Sequence, residues 1–369
     1  MNSSKHDYNF VLGTQTIGVV YQFTEKTRLV ETAEGILGMG SNLLKICMGR
    51  SYSQGHYSLP KNEDIRSLKD LATLEPSFRH VLEMPFSIYH LWVYPFSSGP
   101  WQDGFSAEDQ VREYREIYEF AAYLMERFHG TGKTFFFGHW EGDWYLHPGY
   151  KAEMDPDPAL IKNMILWLQV RQKAVDEARR DHPDSDVRIY HYTEANLVQK
   201  AMQGKSCLVN DVLPNVPVDF VSYSSYDIII PHRENVRQPL FDALDFIDAK
   251  LPQKSGITDK RVFIGEYGFP LELTGTPEAQ DRFSRDVCRA ALEWGCPFAL
   301  YWEFYCNEIK EGRHRGFWLI NDRNEKQPFY FTLQSFYEKA RALVNSSTLE
   351  SGRVPTREEF TAIALTWLD

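Results

Sequence analysis

Eight short apolar runs of strand length, most of them followed by a longer stretch whose apolar residues recur at helical spacing, constrain this 369-residue chain more than anything else in it. The runs are Thr16–Phe23, Leu43–Met48, Ile88–Phe96, Thr134–Trp140, Val187–Thr193, Asp219–Tyr223, Arg261–Glu266 and Phe298–Phe304. Alternation of this kind builds parallel strands joined by crossover helices. The helical spacing is clearest over 108–128, where Val111, Tyr114, Tyr118, Ala121 and Met125 share a face, and over 159–180, where Ile161, Ile165, Leu168, Gln172 and Val175 do. Further helices are expected over 28–39, 241–250, 277–294 and 332–344, with weaker signals after the second and fifth runs. Ser106 followed by Asp109 reads as a capping box, and Thr276-Pro277 as a cap before a first-turn proline.

Eight alternations favour an α/β chain closed into a single (β/α)8 TIM barrel over an open doubly wound sheet. The first run leads into Tyr21-Gln22-Phe23-Thr24-Glu25 without GxGxxG, and GxxxxGK[ST] is missing too, so no phosphate cradle is expected. No repeat or glycine-rich linker divides the chain. The reading places the barrel in 1–345 and a short C-terminal extension, packed on it, in 346–369 with a helix in 353–369. An insertion over 63–84, between the second and third strands, is expected to border the cleft.

With 43% hydrophobic and 25% charged residues the chain is an ordinary globular one, and 40 basic against 51 acidic side chains leave a net charge of −11. That balance disfavours nucleic acid and anionic lipid as partners and suits a neutral ligand. The first eight residues lack the apolar stretch of a signal peptide and no run of 18 apolar residues occurs, which predicts a soluble chain without membrane insertion. The reading assigns no compartment and no oligomeric state. Cys47, Cys207, Cys288, Cys296 and Cys306 form no CxxC or zinc-finger spacing and read as reduced core thiols.

In a barrel, function sits at the C-terminal ends of the strands. A period of two along the seventh run puts Val262, Ile264 and Glu266 on one face, and along the fourth it collects Phe135, Phe137, His139 and Glu141. Each row reads as an inward, apolar one that ends in a carboxylate, which must be paired, hydrogen-bonded or in a cleft. Two carboxyls at one mouth suit glycoside hydrolysis, with retention of configuration at a separation of about 5 to 5.5 Å and inversion at roughly 6.5 to 9.5 Å.

These residues resemble those of the retaining glycoside hydrolases of clan A, a (β/α)8 superfamily that includes cellulases, mannanases and β-galactosidases. The resemblance spans most of residues 16–344. By position it implies Glu141 as acid/base and Glu266 as nucleophile in the cleavage of a β-linked glycoside or oligosaccharide. Ile264-Gly-Glu-Tyr-Gly-Phe269 looks like the clan's nucleophile strand, and Asp219-Phe-Val-Ser-Tyr223 with Tyr226 like its sixth strand, whose tyrosine stands near the nucleophile. Leu300-Tyr-Trp-Glu-Phe304 resembles its eighth, implying Trp302 as the floor of a sugar subsite, and Gly316-Phe-Trp-Leu-Ile-Asn321 with Pro328-Phe-Tyr-Phe331 its turn into a last helix. Arg50 is similar in place to the clan arginine that orients the nucleophile. The clan's Asn before the acid/base is here Trp140, preceded by His139. His139 is therefore a candidate for the Asn role, and Asp143 an alternative proton donor.

His90 and His191 are further candidates for sugar hydroxyls, and Tyr52, Tyr57, Trp101, Trp144, Tyr145 and Trp318 for sugar platforms in the loops. His139, His147, His191 and His232 raise a metal-dependent barrel hydrolase or isomerase as a rival. The HxH of amidohydrolases is missing from the first run, and the reading expects neither metal nor cofactor. A second rival is a catalytically silent barrel that binds glycans.

Overall fold

The computed structural model describes residues 8–369. Among them, eight parallel strands form one sheet: β1 (Leu12–Thr14), β2 (Leu43–Gly49), β3 (Ile88–Tyr94), β4 (Thr134–Gly138), β5 (Arg188–Ala195), β6 (Phe220–Ser224), β7 (Val262–Tyr267) and β8 (Ala299–Tyr301). Each pairs with its neighbour in sequence from β2 to β8, and β1 pairs with β8. A parallel bridge between Gln15 and Lys45 joins β1 to β2, with Thr16 N donating to Lys45 O at 3.1 Å. The protein is a single (β/α)8 barrel.

The helices follow the apolar spacing. Arg28–Gly38, Ala107–Arg127, Pro158–Asp181, Arg237–Lys250, Pro277–Trp294 and Pro328–Ser351 match the expected stretches, the last running further than its pattern. The Ser106/Asp109 capping box is formed, and Thr276 caps its helix with Pro277 in the first turn. The insertion between β2 and β3 holds two short helices, Leu68–Leu74 and Pro76–Glu83, which bury Leu68, Leu71, Phe78, Val81 and Leu82. At the C-terminal end Arg357–Ala364 carries Phe360 against Phe10 and Phe336. No helix among the described residues is long and apolar enough to cross a membrane, and all five cysteines are buried and unpaired.

Two expectations are corrected. The first strand is Leu12–Thr14, not 16–23. Gly18, at φ +71°, turns the chain out of the sheet, and beyond it Tyr21 donates to Ile320 O and accepts from Cys306 N. Gly13 marks the real strand, since a Cβ there would lie 2.4 Å from Leu43. The second correction concerns the faces of β4 and β7. Phe136, Tyr192, Phe220, Phe263, Phe298 and Leu300 fill the barrel interior. Phe135, Phe137, Val262 and Ile264 belong to the other core, between sheet and helices. The inward row is therefore the opposite one from that counted back from Glu141 and Glu266. Fully buried parallel strands are apolar on both faces, so alternation carries no direction there.

Candidate active site

Glu266 reaches the barrel mouth through a register shift. Tyr223 of β6 pairs with Ile264, but the next residue, Ser224, pairs with Glu266, leaving Gly265 as an extra residue in β7. Such a bulge re-aims the side chain that follows it. Phe263 points inward, Ile264 outward, and the extra residue returns Glu266 to the inner face. Only glycine fits at the bulge, because a Cβ on Gly265 would lie 1.6 Å from Ser222 Oγ and 2.9 Å from Glu194 Oε2.

Glu141 arrives differently. β4 ends at Gly138, where a Cβ would meet the Tyr192 ring at 2.0 Å, and the backbone leaves the strand so that Glu141 stands at φ 8°, ψ 82° before the short helix Gly142–Leu146. Its N–H donates to Glu194 Oε1 at 3.0 Å, while its carboxylate accepts from Ser224 Oγ at 2.6 Å and Trp144 Nε1 at 2.6 Å. Ser224 Oγ is also 3.5 Å from Glu266 Oε2. One hydroxyl thus spans the two carboxyls, and their nearest oxygens lie no further apart than the sum of those two distances, about 6 Å.

Beneath them lies a buried charge cluster that sequence reading missed. Lys45 of β2 extends its ammonium to Glu194 Oε2 at 3.3 Å, Gly265 O at 3.0 Å and Glu266 Oε1 at 3.4 Å, and stands over the Trp92 ring at 4.5 Å. Glu194 of β5 also accepts from Ser222 Oγ at 2.6 Å. Burial pushes the Glu141 carboxyl up to about 7, with the Glu194 charge adding to the rise and the Ser224 and Trp144 hydrogen bonds and Lys45 opposing it. Burial also raises Glu266; Lys45 opposes that rise while the Glu194 and Glu141 charges add to it. The signal available in the sequence was a lysine in the middle of the apolar run Leu43-Leu-Lys-Ile-Cys47.

Two cavities meet at Glu141. One, of about 740 Å³, is lined by Arg50, Trp92, Trp140, Glu141, Glu266 and Trp302 among others. The second, of about 760 Å³, is lined by Glu141, Trp144, Ser224, Asp227, Arg315 and Phe317 among others, and does not reach Glu266. Tyr226 and Glu308 line both. The Tyr226 hydroxyl is buried without a hydrogen-bond partner among the described residues. Trp302 donates through Nε1 to Glu308 at 3.0 Å.

Of the candidates from sequence, the structure gathers Glu141, Glu266, Arg50, Tyr226 and Trp302 around this cleft. Arg50 is at its rim, and the cation touching Glu266 is Lys45 instead. His90, His139, His191 and Asp143 do not line it. His90 lies under the mouth against the Phe136, Phe263 and Phe298 rings. His139 points to the helix layer, packed on Trp167 and bonded to Thr193 Oγ1 at 2.8 Å, because it has the outward parity of Phe135 and Phe137. His191 meets Gln172 of the same helix layer at 3.2 Å. Asp143 is buried and accepts from the backbone N–H groups of Asn196, Leu197 and Leu208, a loop-fixing role that turns it from the cavities. Tyr52, Tyr57 and Trp101 are packing residues, whereas Trp144 lines the second cavity. The four histidines weighed for a metal form no metal-binding group among the described residues.

No protein-family model and no curated protein matches the chain. Solved structures do. A GH5_18 from Bifidobacterium longum subsp. infantis superposes with a TM-score of 0.56 at 13% identity, over 89% of this chain and 79% of that one. The exo-beta-1,4-mannosidase Op5Man5 from Opitutaceae bacterium strain TAV5 gives 0.58 at 12%, over 92% and 60%. A family 39 glycoside hydrolase from Bacteroides cellulosilyticus WH2 gives 0.52 at 11%, over 90% and 64%. By fold the chain is similar to the clan A glycoside hydrolases, the group its strand-end residues resemble.

Proposed function

We propose that the protein is a retaining glycoside hydrolase that cleaves a β-linked glycoside or oligosaccharide, with Glu266 as nucleophile and Glu141 as acid/base. The observation that carries this reading is the Ser224 hydroxyl bridging the two carboxyls, because nearest oxygens no more than about 6 Å apart favour the close spacing of retention over the wider one that admits a water.

The surroundings support this division of roles. Glu266 touches a cation and Glu141 touches neutral donors only, so a single proton shared by the two settles on Glu141. Glu141 then donates that proton to the glycosidic oxygen as Glu266 attacks the anomeric carbon, the C–O bond breaks, and an ester-linked glycosyl-enzyme forms. In the second half Glu141, now a carboxylate, takes a proton from water, whose oxygen displaces Glu266 from the anomeric carbon. The cavity that holds both glutamates receives the sugar transferred, and the one that reaches Glu141 alone receives the leaving group. Trp92, Trp140 and Trp302 offer apolar faces for the first ring, Trp144 and Phe317 for the second.

The test is hydrolysis of a panel of aryl β- and α-glycosides with β-glucan, mannan and xylan, with the product anomer followed by NMR. β-Mannosides head the panel, because a GH5_18 from Bifidobacterium longum subsp. longum has been solved in complex with Manb1-4GlcNAc. Turnover with retained configuration, lost by at least about 10⁴-fold in Glu266→Gln, is the expected result. Inverted product, or full activity in that variant, overturns the reading. Trp140, standing where the clan has Asn, favours a second reading as a silent glycan-binding barrel, which predicts sugar binding by calorimetry with no hydrolysis.

A further inference from the structure

Resting on that reading, we propose that Lys45 and Glu194 are positioning residues, a buried charge pair that couples the two catalytic glutamates and sets the pH window in which they work. Neither touches substrate: both are fully buried and neither lines a cavity.

The geometry is that of one cation divided between two carboxylates. All three hydrogens of the Lys45 ammonium have acceptors, namely Glu194 Oε2, Glu266 Oε1 and the carbonyl of the bulge residue Gly265. Glu194 accepts on both oxygens and donates nowhere: Oε1 holds the Glu141 N–H, and Oε2 holds Ser222 Oγ and Lys45. The pair therefore ties the strand carrying the nucleophile to the turn carrying the acid/base. Three carboxylates and one ammonium sum to −2, and a proton on Glu141 leaves −1. That surplus is the charge of Glu194, and it opposes ionisation of both catalytic groups.

The other titratable groups around the cluster do not offset it. His90 from β3 is held neutral by burial and by Lys45, and Tyr192 from β5 and Tyr226 after β6 are held neutral by burial. Glu303 after β8 is raised by burial, and accepts from the Ile17 and Asn307 N–H groups. The next cations, Arg50 at the rim and Arg171 behind Tyr192, contact neither glutamate.

Signs follow directly. Glu194→Gln keeps an acceptor for the Glu141 N–H but removes the surplus charge, so both catalytic carboxyls ionise more easily and the whole bell of kcat/KM against pH moves to lower pH. Lys45→Met moves it to higher pH and lowers its maximum on the order of 10²-fold. Should Lys45→Met fail to fold with Glu194 left unpaired, the double variant removes both charges and its limbs lie above those of Glu194→Gln. A merely structural role lowers the maximum without displacing the limbs.

The same variants are followed by carboxyl carbon-13 NMR titration of glutamate-labelled protein, with signals assigned by Glu266→Gln and Glu141→Gln. This needs no turnover. Absence of hydrolysis on any glycoside would remove the proposed function while the titration still decides the charge pair. Displacement of the Glu266 and Glu141 titrations downward in Glu194→Gln supports the coupling. In Glu194→Gln, titrations and limbs that coincide with wild type, or move upward, overturn it.

Discussion

β4 and β7 each deliver one glutamate to the same cleft, and they do so by opposite means. β7 stays in the sheet: Glu266 pairs with Ser224 on one side, and Tyr267 after it pairs with Tyr301 on the other. Its carboxyl is aimed by an extra residue inside a continuous strand and is fixed by an ammonium. β4 leaves the sheet at Gly138, and Glu141 rides on a turn held by its own N–H and by neutral side-chain donors. The contrast suits the roles proposed for the two: a nucleophile gains from being still and charged, because a displacement of about 1 Å at the reacting atom can cost 10²-fold in rate. A proton donor gains from the reverse, a site without a cation partner where its acid form persists near neutrality.

The bulge is the sharpest place to break that comparison. Gly265→Ala puts a methyl into the space of Ser222 Oγ and against Glu194, so the bulge must open or the β6–β7 pairing must slip. Either outcome turns Glu266 off the inner face while leaving Glu141 on its turn. We expect kcat/KM to fall on the order of 10²-fold or more and the midpoint of thermal unfolding to drop, both measured on purified protein. A Gly265→Ala variant with wild-type kcat/KM would show that the bulge does not aim the proposed nucleophile.

The turn gives a smaller effect, of opposite sign in stability. Burial raises Glu141 from 4.5 in the unfolded chain to about 7 in the native one, so the native state holds a proton that the unfolded state has already lost. The contribution of Glu141 to native stability is therefore fullest below pH 4.5 and is lost as pH rises through about 7. Glu141→Gln has no such loss, and its amide still serves Trp144 Nε1 and Ser224 Oγ. The variant is expected to match wild type in acid and to exceed it above neutrality, by on the order of 3 kcal/mol, in urea unfolding followed at pH 4 and pH 8. Equal differences at both pH values would contradict a buried, easily protonated acid/base.

The same contrast explains what was legible beforehand. Seven of the eight strands and the long helices came through because apolar runs, caps and first-turn prolines are local signals. The first strand did not, because Val19, Val20, Tyr21 and Phe23 form a richer β-like run than Leu12–Thr14, and what excludes them is one glycine at positive φ. Glu141 and Glu266, which line one cleft, stand out by their place at strand ends, on a count of faces that the structure reverses. The bulge at Gly265 and the departure of β4 after Gly138 each flip the parity once, and a flip at the strand end is invisible to a period of two. Lys45 lies in the middle of a run that reads as core and Glu194 one residue past the end of another, and their partners come from strands far apart in sequence. Only closure of the barrel brings them together.

His139 offers the smallest effect and tests whether β4 is finished at Gly138. Its ring fills a slot against Trp167 and Tyr145, with Nε2 on Thr193 Oγ1 and Nδ1 on the Trp140 carbonyl oxygen. Burial holds it down to about 3, so it is neutral throughout the working range and no limb of the pH profile belongs to it. His139→Asn cannot reach both partners and leaves a void beside Trp167, at a stability cost of about 1 to 3 kcal/mol. On the active fraction, kcat/KM should stay within about threefold of wild type, with limbs unmoved, since the ring lines neither cavity and meets the cleft only through the Trp140 backbone carbonyl. A loss of kcat/KM far beyond that with an unchanged unfolding midpoint would place His139 on the sugar. It would also mean that β4, like β7, sends its last residues inward along a continued strand, and the contrast between the two glutamates would collapse.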